Sequence, residues 1–294
     1  MRNRVWPILR AAFGLVGVTF LALVLVRTVR RLGVDTVPSW PSFVAAGVLS
    51  AGSIMIGARG WASLFDEGSS DLRRGFYASQ LGKYIPGGIW QSVALVGSAS
   101  RSGASLRHST VRLPVYMVTT IVAGATVGAA LSIVGTSVPS AARWGSLAGL
   151  ATLPLLTRRW MMTTVRLFRR ISKQPTSEED LIPPRGAIQR SYLFNLGSVL
   201  AGSMAFAVLL GSLHTRVSSI EAVTGFCLAW IAGFVAVPVP SGIGVREAIL
   251  IGLFESGIEG PVVAAAVAQR IVAIVAELIV VLAASGAGRG ARRS

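Results

Sequence analysis

Charged residues are scarce in this sequence of 294 residues, at 14% against 52% hydrophobic residues. A soluble domain carries about 25% charged residues, so the composition excludes an ordinary soluble fold and a disordered chain. Cysteine is nearly absent, because Cys227 is the only one, and histidine occurs twice. An internal disulfide is therefore excluded. The sequence offers no Cys/His cluster for a metal ion, and we expect no cofactor.

Acidic residues are also few, since 12 Asp and Glu stand against 28 Lys and Arg, which leaves a net charge of +16. In a soluble chain this excess would suggest nucleic acid as a partner. Here the basic residues lie mostly in short segments between apolar stretches, where they are typical of a topology signal and of a surface for anionic lipid headgroups. No nucleic-acid-binding motif accompanies them, so we expect a membrane partner and no nucleic acid.

Catalytic motifs are missing, because the sequence has no G-x-S-x-G, no H-E-x-x-H and no P-loop. His108 and His214 have no nearby carboxylate in sequence, so each is interpreted as a solvated residue. The acidic residues between Asp66 and Asp71 would fit a metal-dependent transferase, but a helix end there also needs polar caps. An intramembrane protease would need a nucleophile and a base, for which Ser241 and His214 are the candidates. We expect no enzyme.

Long apolar stretches are what the sequence does contain. A bilayer core of roughly 30 Å needs about 20 apolar residues per helix. We therefore predict an all-α polytopic membrane protein that forms one domain over residues 1–294. About six full spans are expected, at residues 11–26, 43–65, 113–135, 141–157, 191–213 and 261–284. The first is interpreted as a retained span, because no small-residue cleavage site follows it.

Two further apolar stretches, 76–97 and 221–255, are interrupted by proline and glycine. Proline supplies no backbone N–H and glycine permits turns that other residues resist, so each helix should stop and restart as a re-entrant segment. Non-helical backbone at membrane depth needs protein or a watery cavity around it, which predicts a cavity at these points. The residues expected to shape the re-entrant backbone are Pro86, Gly87, Gly88, Pro240, Ser241, Gly242 and Gly244.

The order of these elements repeats. Residues 1–135 read as span, span, broken segment, span, and residues 141–284 read the same way but begin on the opposite side of the membrane. Two such halves predict an inverted repeat, in which transporters form a binding site where interrupted helices meet near the midplane.

Basic residues predict the orientation. With both termini in the cytoplasm, 20 of the 28 Lys and Arg lie inside and five lie outside. This bias follows the positive-inside rule and predicts a bacterial-type inner (cytoplasmic) membrane protein. It also makes the basic loop 158–190 and the basic tail 285–294 cytoplasmic.

Several charged residues lie in or beside apolar segments, where each costs on the order of 2.5 to 3.5 kcal/mol at a helix centre. Arg270 and Glu277 are two helical turns apart and share a face of the last span, whereas Arg246 and Glu247 start a short helix. We predict at least one cross-helix pair among these four. Arg59 lies near a span end, where its side chain can reach water.

These charges suggest a site for an anion. Helices that restart near residues 89 and 245 would direct free N–H groups and a positive dipole end at the cavity, which suits a phosphate or carboxylate. The alternative is a kinked helix without a ligand, with Glu247 as a helix cap and Arg270–Glu277 as a structural ion pair. The expected substrate-binding residues are Lys83, Tyr84, Arg246, Glu247, Gln269, Arg270 and Glu277.

The two interrupted segments carry a resemblance. The motifs Gly82-Lys83-Tyr84-Ile85-Pro86-Gly87-Gly88 and Pro238-Val239-Pro240-Ser241-Gly242-Ile243-Gly244-Val245-Arg246-Glu247 resemble the signature segments of the lysylphosphatidylglycerol synthase membrane-domain family, also called flippase-like proteins. The span with Gln269-Arg270 is similar to that family's last helix. Ser241 stands where the family commonly has glycine. The aminoacyl-transfer domain of larger relatives is absent from this sequence, so the resemblance implies no synthase activity.

The resemblance implies a helical fold with two re-entrant segments and the movement of a lipid between leaflets. We therefore expect a flippase or transporter that binds an anionic phospholipid or a lipid-linked glycan headgroup in a central cavity. Two alternatives stay open: a non-transporting scaffold or regulator of an envelope lipid biosynthetic enzyme, and an intramembrane transferase that acts on a lipid carrier.

Overall fold

A computed structural model describes residues 37–65, 69–84, 89–135, 138–157, 159–160, 162–163, 182–235, 244–254 and 257–290. This part of the chain is helical and contains no strand, as the sequence predicts. Its α-helices are α1 (Trp40–Ala62), α2 (Ser69–Gln80), α3 (Trp90–Arg101), α4 (Leu106–Val134), α5 (Ser140–Gly149), α6 (Arg185–Gly211), α7 (Ser219–Val235), α8 (Val245–Leu253) and α9 (Glu259–Gly290). Two 3-10 turns, Leu81–Tyr84 and Leu150–Leu156, follow α2 and α5.

Four of these helices are long and apolar enough to cross a membrane: α1, α4, α6 and the Glu259–Ser285 part of α9. They coincide with four of the six predicted spans, so the chain is a membrane protein. The predicted span 11–26 lies outside the described residues. The predicted span 141–157 consists of α5 and the 3-10 turn Leu150–Leu156, and the total number of spans stays a prediction.

Three helices extend beyond the apolar spans predicted from the sequence. The helix α4 begins at Leu106 rather than at residue 113, since the Ser105 hydroxyl caps it by accepting the His108 N–H at 3.1 Å. The helix α6 begins at Arg185, inside the predicted loop 158–190, and α9 continues to Gly290, inside the predicted tail. Hydropathy reports which residues prefer lipid, whereas a helix continues through polar residues as long as its backbone is satisfied.

Buried side chains form two clusters. One lies among α6, α7, α8 and α9 and includes Phe206, Phe226 and Leu250; the two phenyl rings stack with centroids 4.9 Å apart. The other lies among α1, α2, α3 and α4 and is built around Trp61 and Leu72. Each cluster is therefore drawn mainly from one half of the sequence, although Ala46 and Val127 join the first cluster and Ile182 and Ile188 join the second.

The contacts between helices follow a matched pattern. The helix α1 packs along α6. The contact of α4 with α6 corresponds to the contact of α9 with α1, and the contact of α4 with α7 corresponds to that of α9 with α2. The pairs α2 with α3 and α7 with α8 also correspond, as do α3 with α4 and α8 with α9. Exchanging α1, α2, α3 and α4 for α6, α7, α8 and α9 therefore maps these contacts onto one another.

Candidate functional site

Glu247 and Arg270 form a bidentate ion pair between α8 and α9. The Arg270 Nε donates to Glu247 Oε1 at 2.7 Å, and Nη2 donates to Oε2 at 3.2 Å. The Arg270 side chain is 6% exposed and that of Glu247 is 14% exposed. Parallel N–H···O bonds of this kind fix the geometry of both groups. The predicted cross-helix pair is therefore confirmed.

Glu247 also caps the helix on which it lies. Gly244 precedes α8 with φ +84°, a backbone conformation that suits glycine. Its N–H donates to Glu247 Oε2 at 2.8 Å, which satisfies a donor that would otherwise be left at the helix start. The cap proposed in the alternative interpretation is present, but the same carboxylate binds Arg270 as well.

Glu277 has a different partner from the one that helix periodicity suggests. It is 2% exposed, and its Oε1 forms an ion pair with the Lys83 ammonium from the 3-10 turn Leu81–Tyr84. The Lys83 ammonium lies 5.3 Å from the centre of the Tyr84 ring, and the Tyr84 hydroxyl interacts with Glu277. Glu277 Oε2 is buried and accepts no hydrogen bond from the described residues.

Arg246 joins the two ion pairs into one cluster. It lies within electrostatic range of Arg270, Glu247 and Tyr84. Its guanidinium carbon is 5.7 Å from the centre of the Phe226 ring, a cation–π arrangement. Its Nε is buried, and within the described ranges that atom has no hydrogen-bond partner.

The cluster is positively charged overall. We call Lys83, Arg246, Glu247, Arg270 and Glu277 the charged cluster; it has three cations and two carboxylates. It draws Lys83 from the first half of the sequence and the other four residues from the second half. Since both carboxylates already bind another member of the cluster, one positive charge is left over, and Arg246 is the member without a described ion pair.

Only some of the site residues predicted from the sequence lie together in the structure. Lys83, Tyr84, Arg246, Glu247, Arg270 and Glu277 lie together. Gln269 is buried in α9 beside Arg270, but it makes no hydrogen bond to the charged cluster among the described residues. The predicted re-entrant residues Pro86, Gly87, Gly88, Pro240, Ser241 and Gly242 lie outside the described residues.

The turn that carries Lys83 is held in place by α3. Gly82 is buried, and a Cβ at that position would lie 2.8 Å from the Gln91 nitrogen and 2.9 Å from its Cα. The Gln91 side-chain amide also donates to the Gln80 side chain at 3.3 Å. The helix that restarts at Trp90 therefore packs directly on the Lys83 turn, and a second restarted helix begins at Val245.

Two residues with notable contacts in the structure were not expected from the sequence. Phe226 provides the ring beneath Arg246, and an apolar residue in an apolar helix gives no sign of that role. Arg112 is 5% exposed in α4, with its guanidinium carbon 4.7 Å from the Phe65 ring centre. A basic residue beside an apolar run was the available signal for Arg112.

Residues that were not expected to belong to the binding site lie outside the charged cluster. Arg59 is exposed in the last turn of α1. His214 is exposed after α6, and Asp71 forms an ion pair with Arg74 on the exposed side of α2. Over the described ranges, no group of three or more His, Cys, Asp or Glu side chains gathers in a way that would hold a metal ion.

Comparison with known proteins identified no relative of this chain. No protein-family model matches the chain, and no match was found among curated proteins or among solved structures.

Proposed function

We propose that this protein is a membrane carrier that binds the anionic headgroup of a phospholipid or of a lipid-linked glycan and moves it between leaflets. The observation that supports this is the charged cluster, a set of five ionisable side chains, two buried and three partly buried, with one excess positive charge in a largely apolar helical protein. Ionisable residues inside a membrane are costly, so they mark functional sites more often than structural ones.

The chemistry of the cluster favours an anion. A guanidinium offers several N–H donors in a plane that matches phosphate or carboxylate oxygens. Arg246 lies in the first turn of α8, where the positive end of the helix dipole adds to its charge. An incoming phosphate would therefore find an arginine whose Nε lacks a described partner, beside a second arginine that is already oriented by Glu247.

The matched contacts of the two sets of four helices support an internal repeat, and we propose that the repeat is inverted, as in many transporters. The interrupted segments would then border a central cavity. The resemblance to the flippase-like family points to the same function. The excess of basic residues in the loops supports a cytoplasmic membrane location with both termini in the cytoplasm.

Reconstitution into vesicles tests this function. Purified protein is inserted into vesicles that contain a trace of phosphatidylglycerol with a fluorescent label on the acyl chain, and dithionite added outside destroys the label in the outer leaflet. If the protein is a carrier, wild-type protein lets dithionite destroy more than the outer-leaflet half of the label. Arg246→Ala and Arg270→Ala should reduce the rate at least tenfold. Arg59→Ala, which removes an exposed arginine outside the charged cluster, should retain the wild-type rate.

Other outcomes point to other functions. Wild-type vesicles that protect half of the label, like protein-free vesicles, would contradict the carrier and favour a scaffold or regulator of an envelope biosynthetic enzyme. A lipid of new mass after incubation with membrane extract would favour a transferase. Equal rates in wild type, Arg246→Ala and Arg270→Ala would show that the lipid moves without using the charged cluster.

A further inference from the structure

The positive and negative charges of the charged cluster nearly balance one another. Lys83 binds Glu277 and Arg270 binds Glu247, so each carboxylate of the cluster is balanced by a cation from another segment. The remaining charge is that of Arg246. The two interruptions, residues 85–88 and 236–243, contain no ionisable side chain. Among the described residues of the charged cluster, the charge available to a ligand is therefore one positive unit.

A buried site is most stable when its total charge is near zero, because each uncompensated charge in a medium of low dielectric constant is costly. A phosphodiester carries one negative charge and would neutralise the cluster while leaving both internal ion pairs intact. A diphosphate carries two or more, and it would leave the cluster negative unless an ion pair broke and a carboxylate took up a proton.

We infer that the site selects monoanionic phosphodiester headgroups, such as that of phosphatidylglycerol, over prenyl diphosphates. In this arrangement Arg246 is the residue that contacts the phosphate. Arg270 and Lys83 are positioning residues, which keep the two carboxylates from repelling the ligand. The inference rests on the proposed function, and it narrows the lipid-linked ligands considered there to those with a single negative charge.

Binding to the purified full-length protein in a neutral detergent tests the inference. The probes are short-chain phosphatidylglycerol, farnesyl diphosphate and short-chain phosphatidylcholine, which carries no net charge. In wild type we expect phosphatidylglycerol to bind at least tenfold more tightly than either of the others. Comparable or tighter binding of farnesyl diphosphate would overturn the inference. If neither anion binds, the proposed function itself fails, so the two failures are distinguishable.

Variants that change the charge by one unit make the test sharper. Glu277→Gln raises the cluster to two positive charges, and the preference for phosphatidylglycerol should fall at least tenfold. The double variant Lys83→Gln with Glu277→Gln restores one positive charge, and the preference should return even if both affinities are lower. Asp71→Asn makes the same charge change on the exposed side of α2 and should keep the wild-type preference.

These variants also test whether charge is the cause. A preference that is unchanged in Glu277→Gln would contradict the inference, since the internal charge would then not matter. A preference that is lost equally in the single and the double variant would also contradict it, because shape rather than charge would explain both. Wild-type selectivity needs no variant, so the inference can be tested even if Glu277→Gln fails to fold.

Discussion

Glu247 accepts hydrogen bonds from two parts of the chain, the Gly244 N–H and the Arg270 guanidinium. It thereby ties the start of α8 to the middle of α9. Glu277 does the same between α9 and the Lys83 turn. Lys83 and Arg270 are thus held in place by two carboxylates, of which Glu277 is 2% and Glu247 is 14% exposed.

Removing Arg270 should therefore destabilise the protein more than removing the whole pair. Arg270→Ala leaves the Glu247 carboxylate, which is 14% exposed, without its cation. Breaking a buried ion pair in this way typically costs about 3–5 kcal/mol. Glu247→Gln with Arg270→Gln removes both charges and should cost less, because no unpaired ion remains. Thermal or denaturant unfolding in detergent measures both variants.

Arg59→Ala is the matched control, since Arg59 is exposed, and it should change the free energy of unfolding by about 0.5 kcal/mol or less. The argument is wrong if the double variant is as unstable as Arg270→Ala. That result would mean that the two residues stabilise the fold through packing and not through their charges.

At the level of elements, the Lys83 turn depends on close packing against α3. Gly82 allows that approach because it has no side chain, and a Cβ there would meet the backbone of Gln91. Backbone atoms cannot rotate out of the way as a side chain can. The turn or the start of α3 would have to shift, and Lys83 would shift with it.

Gly82→Ala should therefore cost about 1–3 kcal/mol of stability, the usual range for overpacking, and should also slow lipid movement in vesicles. Gly52→Ala is the matched control, because Gly52 lies in α1 with no atom within 4 Å of a Cβ placed there. It should be neutral or stabilising by up to about 1 kcal/mol, since alanine favours a helix over glycine. Equal losses in both variants would refute the packing argument.

The start of α8 offers a second such position. Gly244 has φ +84° and open space around it, so a side chain would meet backbone strain rather than a neighbour. Gly244→Ala should cost about 1–3 kcal/mol, the typical penalty for a residue in a sparsely populated backbone region. Unfolding in detergent measures the cost, and Gly252→Ala within α8, which also has open space but an ordinary helical φ, should not show it.

At the level of the whole molecule, α1 and α6 join the two halves of the sequence. The Ser53 hydroxyl donates to the Ser198 carbonyl at 2.7 Å, and the two hydroxyl oxygens lie 3.3 Å apart. Ser198 in turn donates to the Ser53 carbonyl at 2.8 Å. Small polar residues of this kind let membrane helices approach closely and hydrogen-bond across the interface.

Cysteines at both positions should therefore cross-link. In a Cys227→Ala background, Ser53→Cys with Ser198→Cys should form a disulfide under mild oxidation. A protease site inserted between residues 164 and 181 would then cut the chain without separating its halves on a non-reducing gel. The matched control pairs Ser53→Cys with Ser212→Cys. Ser212 caps the end of α6, about 21 Å from Ser198 along the helix axis, so this pair should not cross-link and the halves should separate. Separation in both cases would refute the described packing of α1 on α6.

Much of the architecture is predictable from the sequence because lipid exposure requires long runs of apolar residues, and such runs are visible in the chain. The four long helices and the restart of helices at Trp90 and Val245 follow from apolar runs and from Pro-Gly clusters. Helix periodicity also places Arg270 and Glu277 on one face. The helix ends are less predictable, because polar residues continue a helix beyond its apolar part.

Composition and spacing are local properties, and they are enough to predict a helical membrane protein with costly charges in its apolar segments. Which of these charges meet depends on the tertiary structure. Lys83 and Glu277 are 194 residues apart, and Arg270 takes Glu247 as its partner from another helix. Partner choice depends on how α8, α9 and the Lys83 turn pack together, and packing is a property of the folded chain that no local pattern specifies.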